Sequence, residues 1–496
     1  MSQLEYALYN TAQIRSCEQQ APNLYHLNEF QLMLQAGAAA FSFILKKFPH
    51  IHHLAVFCGA GNNAGDGYIV ARLAHEHGLI VTVYQCKALE DLPDTARKAA
   101  LEAQAVGVEF QGADEPLDSE VELIVDALLG IGLKGAVYGI IASAIQQINA
   151  SGLPVVSLDI PSGLNADNGQ VVNFCVLATM TLTFIGLKVG MYTLDGPDYC
   201  GAIYCHHLKL ESYLTSLNPF AHLLNQNHLI LPLPKRKKNS HKGAYGHVLV
   251  IGGGLGMAGA VALAAKAALR TGAGAVSIAT LPEHVSAVLP LIPEAMVWGI
   301  GEVKDLQPLL AKASFCIIGP GLGENDWAKS LFLAALSSQM PVVIDASALR
   351  LLAQCPQMDD NWILTPHPGE AASLLSCSSK EIQEDRFKAA ALIQQKYGGV
   401  VVLKGTGTVI QTLEKNLFIC PKGNPGMASA GMGDVLSGII AGLCAQGLSL
   451  SEAAMLGVWS HAVAADMITQ EQGECGLLAS DLLNQLPKIL NAIRGC

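Results

Sequence analysis

Short β-branched runs alternate with Ala- and Gly-rich segments almost from end to end of this 496-residue chain, and that alternation limits its fold more than any other feature. In the first part HLAVFCG, LIVTVYQ, ELIVDALL, PVVSLDIP and TMTLTFIG read as strands; in the second, HVLVIGG, AVSIATL, FCIIGPG, PVVIDAS, NWILTPH and GVVVLKG do. The segments between them, such as Gly65 to His77 and Gly259 to Thr271, carry apolar residues at helical spacing. Near-continuous apolar strands joined by helices form parallel sheets covered on both faces. Ligands of such sheets bind at the carboxyl ends of the strands, so the strand-to-helix turns are where chemistry is sought.

One stretch breaks the pattern. Thr215 to Gly243 is rich in Pro, Asn and Lys, with a basic cluster at Lys235 to Lys238, and reads as a solvated linker. A fresh strand–Gly–helix unit begins at Tyr245. A boundary near residue 220 gives two α/β domains, 1–219 and 220–496, with no evident repeat between them.

Composition narrows the class. Only 14% of residues are charged, against 51% hydrophobic, which excludes a disordered chain or a coiled coil. The net charge of −11 argues against a nucleic-acid partner and requires any anionic ligand to be held locally. No uninterrupted apolar run reaches the roughly 20 residues of a membrane span. The N-terminus lacks a basic-then-apolar leader, so a cytoplasmic location is expected. Thirteen cysteines without a CxxC fit buried thiols in a reducing compartment. An acidic, core-rich chain of this size is expected to be a homo-oligomer.

Two loops match the dinucleotide fingerprint G-x-G-x-x-G/A: Gly59, Gly61 and Ala64, and Gly254, Gly256 and Gly259. Neither next strand ends in the acid that would hold a ribose, which weakens a dehydrogenase reading. The first loop instead adds Asn62, Asn63 and Asp66, and other strand ends nearby carry Asp126, Asp159 and Ser162. Helix capping accounts for one such residue but poorly for four. Oxygens grouped in this way suit a hard cation, a sugar or an amide.

In the second half, GNPGMASAGMGDVLSG feeds a helix and places Asp434 at its start. Backbone amides from Ala430 to Gly433 would form an anion nest. A carboxylate beside bound phosphate is unfavourable unless it serves as a base, here taking the proton of an acceptor hydroxyl during phosphoryl transfer. KGTGT (Lys404 to Thr408), GPGLG (Gly319 to Gly323) and His367 lie at further strand ends. There is no GxxxxGK[ST], so the chain is not a P-loop NTPase.

Taken together, GAGNNAGDG, DALLGIGLKG and DIPSG resemble the NAD(P)H-hydrate epimerase family. HKGAYGHVLVIGG, GPGLG, LTPHPGE, LKGTGT and NPGMASAGMGDVLSG are similar to the ADP-dependent NAD(P)H-hydrate dehydratases. The motifs cover nearly the whole chain, in the order of the fused bacterial repair enzymes. This resemblance implies a Rossmann-like doubly wound N-terminal domain and a ribokinase-like C-terminal α/β domain. It also implies the substrate, a reduced nicotinamide cofactor that has taken up water and bears a ring hydroxyl as R and S epimers. The first domain would interconvert the epimers. The second would phosphorylate the S hydroxyl from ADP, with Mg2+, so that phosphate leaves and NAD(P)H and AMP are released.

By resemblance, Asp434 is the base, and Lys404, Gly405, Thr406, Gly407, Thr408 and Gly433 hold the nucleotide. Ala260, Gly321, Gly323 and His367 line the hydrate side. In the first domain K+ would sit on Asn63, Asp126 and Ser162. The hydrate would lie against Asn62, Asn63, Ala64, Gly65 and Asp66, against Gly130, Ile131, Gly132, Leu133, Lys134, Gly135 and Ala136, and against Asp159. Asp159 and Lys134 are the acid–base candidates; ring opening and loss and return of water both remain open. The commoner GNNGGDG is GNNAGDG here, and Ala64 would be strained if that position required φ > 0. The rival reading is a ribokinase-type kinase of a vitamin precursor, which would prefer ATP and release a stable phosphomonoester.

Overall fold

The computed structural model describes residues 3–25, 27–133, 135–225, 229 and 236–493. They fall into two compact units, Met1–His222 and Leu223–Cys496. Among the described residues no helix is long and apolar enough to cross a membrane, and the cysteines are free thiols.

The strands of the first unit are β1 (Ala7–Tyr9), β2 (His53–Cys58), β3 (Ile80–Gln85), β4 (Glu109–Gly112), β5 (Leu123–Ala127), β6 (Val155–Leu158), β7 (Met180–Phe184), β8 (Leu187–Lys188) and β9 (Ala202–His206); β10 (Ala221–Leu223) spans the boundary residue. Seven form a wholly parallel sheet in the order β4-β3-β2-β5-β6-β7-β9. Every residue of β2 is buried, and its side chains alternate between two clusters. Leu54, Val56 and Cys58 pack on one face, Ala55 and Phe57 on the other, so both faces are covered as an unbroken apolar strand requires. The chain runs outward from β2 in one direction and returns to β5 on its other side. The β2/β5 junction is therefore the switch point at which a doubly wound sheet opens a crevice.

The second unit contains β11 (His247–Ile251), β12 (Ala275–Thr280), β13 (Met296–Gly299), β14 (Phe315–Ile318), β15 (Val342–Ile344), β16 (Trp362–Leu364), β17 (Val400–Leu403), β18 (Thr408–Gln411) and β19 (Leu417–Cys420). Their order is β13-β12-β11-β14-β15-β16-β17-β18-β19, parallel as far as β17 and antiparallel beyond it. The switch point lies between β11 and β14. Helix Met432–Ala445 packs on helix Ala258–Thr271 through small residues: a Cβ on Gly438 would stand 2.2 Å from the Ala264 carbonyl oxygen. That close seam fixes where the helix presents its N-terminus, and with it Asp434.

Candidate active sites

In the first unit, the turns after β2, β5 and β6 converge. Gly59 leaves β2 so close to β5 that a Cβ would stand 1.8 Å from the Leu128 carbonyl oxygen. The fingerprint glycine thus serves strand packing. Helix Asn62–Glu76 starts immediately after it and contains Ala64, which is buried in the right-handed first turn. No positive φ is required there, and the Ala-for-Gly departure carries no backbone strain.

An open cleft of about 790 Å³ lies at this switch point. Asn62, Asn63, Asp66, Gly130, Ile131, Gly132, Leu133 and Asp159 line it. Ala64 and Gly65 are buried behind that wall, while Gly135 and Ala136 lie beyond the lining. Lys134 lies outside the described residues. Asp126, fully buried at the end of β5, accepts from Ser157 Oγ (2.8 Å), Ser162 N (2.9 Å), Ser162 Oγ (2.5 Å) and Leu128 N (3.2 Å). Burial raises its pKa against those hydrogen bonds. Asn63 is buried, and among the described residues neither its Oδ1 nor its Nδ2 has a partner. A buried amide left in that condition costs roughly 1–3 kcal/mol unless a ligand satisfies it.

Asp159 adopts φ 66°, a left-handed conformation that non-glycine residues hold only when the surroundings enforce it. Its backbone N–H donates to the Leu182 carbonyl (2.8 Å), and its carboxylate is engaged by Lys188, which sequence reasoning missed. The Lys188 side chain is fully buried, and its ammonium donates to Asp159 Oδ1, to Thr183 Oγ1 (2.7 Å) and to the Phe184 carbonyl (2.7 Å). The only sequence signal is a lysine inside the apolar run TFIGLKVG, and the extended pattern of that run masks it.

In the second unit the turns after β11 and β14 are zipped together: Gly253 N donates to the Pro320 carbonyl (2.9 Å) and Gly254 N to that of Gly321 (2.6 Å). Gly321, at φ 59°, sits against Ala260, 3.1 Å from where its own Cβ would be. Gly323 N donates to Ser347 Oγ (3.2 Å). Two expected hydrate-side turns therefore meet at the switch point.

The other side is built on a buried ion pair. Lys404 Nζ, at the end of β17, lies 2.9 Å from Asp345 Oδ1 and 3.8 Å from Glu370 Oε2. Ser437 Oγ donates to Asp345 Oδ2 at 2.7 Å. A Cβ on Gly433 would lie 3.1 Å from Lys404 Nζ, so Gly433 and Lys404, apart in sequence, share one spot. Burial, followed by the neighbouring Asp345 carboxylate, pushes Asp434 up to about 7, with Lys404 opposing. That is the value of a base poised near neutrality. Burial alone would lower the Lys404 pKa, but Asp345 and Glu370 raise it instead. His461, buried in helix Leu450–Gln472, is pushed down to about 4 by burial and bonds the Met432 backbone.

Beneath the Lys404–Thr408 turn, the buried Arg386 guanidinium donates to the carbonyls of Leu403 (3.2 Å), Lys404 (3.2 Å) and Thr406, while Thr408 Oγ1 donates to the Gly405 carbonyl (3.0 Å). His367 caps its own helix: Nδ1 accepts from Gly369 N (2.9 Å) and Glu370 N (3.3 Å), while Nε2 of the half-exposed ring lies 3.4 Å from Glu370 Oε1. Asp345, Glu370 and Arg386 escape sequence reasoning because each sits in a segment that reads only as strand, cap or helix.

Residues 248–488 match the NAD(P)H-hydrate dehydratase family, and residues 29–190 match the family of the YjeF-related protein N-terminus. The chain is 48% identical to the bifunctional NAD(P)H-hydrate repair enzyme Nnr of Coxiella burnetii, over 98% of this chain and 99% of that one. It is 40% identical to the enzyme of that name from Escherichia coli, over 98% and 95%. Among solved structures, the ADP/ATP-dependent NAD(P)H-hydrate dehydratase of Bacillus subtilis, co-crystallised with ATP and Mg2+, superposes with a TM-score of 0.50 at 30% identity. It covers 55% of this chain and 98% of its own. A ribokinase-like protein of Enterococcus faecalis gives a TM-score of 0.51 at 28% identity, over 55% and 95%.

Proposed function

The chain belongs to the bifunctional NAD(P)H-hydrate repair enzymes, and from that premise we propose how its two units divide the repair. Residues 1–219 carry the epimerase and residues 220–496 the ADP-dependent dehydratase. The observation that carries the dehydratase assignment is Asp434, held at about 7 at a helix N-terminus beside Lys404 and Gly433. In this reading the deprotonated Asp434 takes the proton of the S-hydrate hydroxyl as that oxygen attacks the β-phosphoryl group of ADP. Amides at the start of the helix and the Lys404 ammonium stabilise the transferred charge. The ring nitrogen lone pair then expels phosphate with formation of a carbon–nitrogen double bond, and loss of a proton from the adjacent ring carbon to solvent restores the carbon–carbon double bond and the nitrogen lone pair. Lys404, the Gly405–Thr408 turn and Gly433 hold the nucleotide; Ala260, Gly321, Gly323 and His367 face the hydrate. Mg2+ bound with the nucleotide supplies charge neutralisation.

In the first unit, Asp159 is the acid–base group and Lys188 holds it in place. Lys134 is the second acid–base candidate. K+ fits the donor set of Asn63 Oδ1, Ser162 Oγ and the Asp126 carboxylate: the orphaned Asn63 oxygen needs a partner, and oxygen-only ligands suit a hard cation. The hydrate lies between the Asn62–Asp66 turn and the Gly130–Ala136 segment. We place the enzyme in the cytoplasm as a homo-oligomer, with hydrated NADH or NADPH and ADP as ligands and neither nucleic acid nor membrane as a partner.

The assay is ADP turnover with and without hydrated NADH. AMP and phosphate forming only when hydrate is present, in step with returning nicotinamide absorbance, support the assignment. A stable phosphorylated product formed from ATP and a vitamin-like alcohol, with the hydrate inert, overturns it in favour of a kinase.

A further inference from the structure

The helix Thr11–Tyr25 turns one face towards the cleft of the first unit. Ile14, Glu18 and Pro22, four residues apart, line it, with Arg15 and Gln19 beside them. The helix is tied down at its start, where the Asp167 carboxylate accepts from Thr11 N and Thr11 Oγ1, each at 2.6 Å. Glu18 is thus presented by a fixed wall. Asp66 and Asp159 line the same cleft from other elements. Asp159 Oδ1 is engaged by Lys188, whereas no described residue hydrogen-bonds the Glu18 carboxyl.

A second observation points to a ligand in the same space. Asn63 is only 8% exposed, lines the cleft, and has a donor and an acceptor with no partner among the described residues. With Oδ1 given to K+, the buried Nδ2 donor is left for an acceptor oxygen of a polar molecule in the cleft.

We propose that Glu18 is a catalytic acid–base residue of the epimerase, working on the ring hydroxyl from helix Thr11–Tyr25 in the cleft that Asp159 also lines. The inference rests on the assignment of the epimerase to this cleft. Glu18 gives its proton to the hydroxyl oxygen and the carbon–oxygen bond breaks. The ring nitrogen lone pair forms a carbon–nitrogen double bond, and water departs. Water then adds to the other face of that carbon, the nitrogen recovers its lone pair, and the proton shed by the adding water returns to the Glu18 carboxylate. Nothing is oxidised or reduced, and the enzyme ends as it began.

The electrostatic setting agrees with that role. Burial, then Asp159 and Glu29, push the Glu18 carboxyl up, while Lys188 and Arg15 pull it down, leaving it at about 7. Asp66, which also faces it, is pushed well above the usual carboxylate range by its own burial and by Asp159 and Glu18. Glu18 is thereby poised to exchange a proton near neutral pH.

The test uses the full chain with pure R and pure S hydrate of NADH, ADP, Mg2+ and K+. Glu18→Gln keeps the side-chain shape. It should lower recovery from the R hydrate about a hundredfold while S-hydrate dehydration stays at the wild-type rate. In Glu18→Ala, added formate should restore part of the R-hydrate rate, which a purely structural side chain would not allow. An unchanged R-hydrate rate in Glu18→Gln overturns the inference and leaves the epimerase assignment standing. A loss accompanied by a lowered thermal midpoint, without formate rescue, also overturns it. If the wild-type chain cannot use the R hydrate faster than it epimerises spontaneously, the underlying assignment fails instead.

Discussion

Lys404 Nζ and Asp345 Oδ1 stand 2.9 Å apart at the carboxyl ends of β17 and β15, with Asp434 close enough to feel both. Burial would raise the Asp345 pKa, but the Lys404 ammonium and the hydrogen bonds from Lys404 and Ser437 outweigh it and hold the carboxyl below its usual value. The Asp345 share of stability is therefore present above about pH 3.9 and drains as pH falls through the lowered value. Lys404, raised in the fold, keeps its share below about pH 10.4 and loses it as pH rises through the folded value. Asp345→Asn should cost about 3 kcal/mol in denaturant unfolding at pH 7, the lower end of the range for breaking a buried pair, since Glu370 remains near Lys404. An unchanged midpoint contradicts the pair's role.

Asp434→Asn should lower dehydration by about 10²–10⁴-fold while ADP binding stays measurable by calorimetry. A base must be deprotonated, so wild-type dehydration should fall as pH drops through about 7. That limb should vanish from the residual activity of the variant. Retention of the limb assigns it to another group.

Asp159→Ala should abolish use of the R hydrate and spare dehydration of the S hydrate. Lys188→Met should do the same, because the buried ammonium is the cation that engages the Asp159 carboxylate. Equal loss on both epimers in either variant contradicts a division of labour between the units.

Exchange of K+ for a bulky organic cation should slow epimerisation at least tenfold and lower the thermal midpoint of the first unit. Asn63→Ala should remove most of that K+ response, since Asn63 Oδ1 has no partner among the described residues. A midpoint indifferent to K+ in the wild type removes the ion from this site.

The alternation of apolar strands with helices makes both sheets legible in the sequence, and glycine turns mark both switch points. Asp434 is legible because an acid at the start of a helix beside an anion nest has few bland explanations. The glycine fingerprints mislead, since Gly59 and Gly254 serve close backbone approach: a Cβ on Gly254 would meet the Leu322 carbonyl oxygen at 2.6 Å. Lys188, Asp345 and Glu18 stay hidden for a different reason. Their roles depend on contacts made across the sheet or from a distant helix, and each local pattern announces only a strand or an amphipathic turn. The Ala64 substitution looks costly in sequence and is harmless in the fold, because its backbone is ordinary helix.

The most direct measurement mixes the pure protein with both epimers of hydrated NADH, Mg2+, K+ and ADP, and follows the return of nicotinamide absorbance. Two working sites in one chain should give complete recovery, faster than spontaneous epimerisation. Recovery that stalls at the S fraction contradicts an active first unit, and no recovery with either ADP or ATP contradicts the repair function itself.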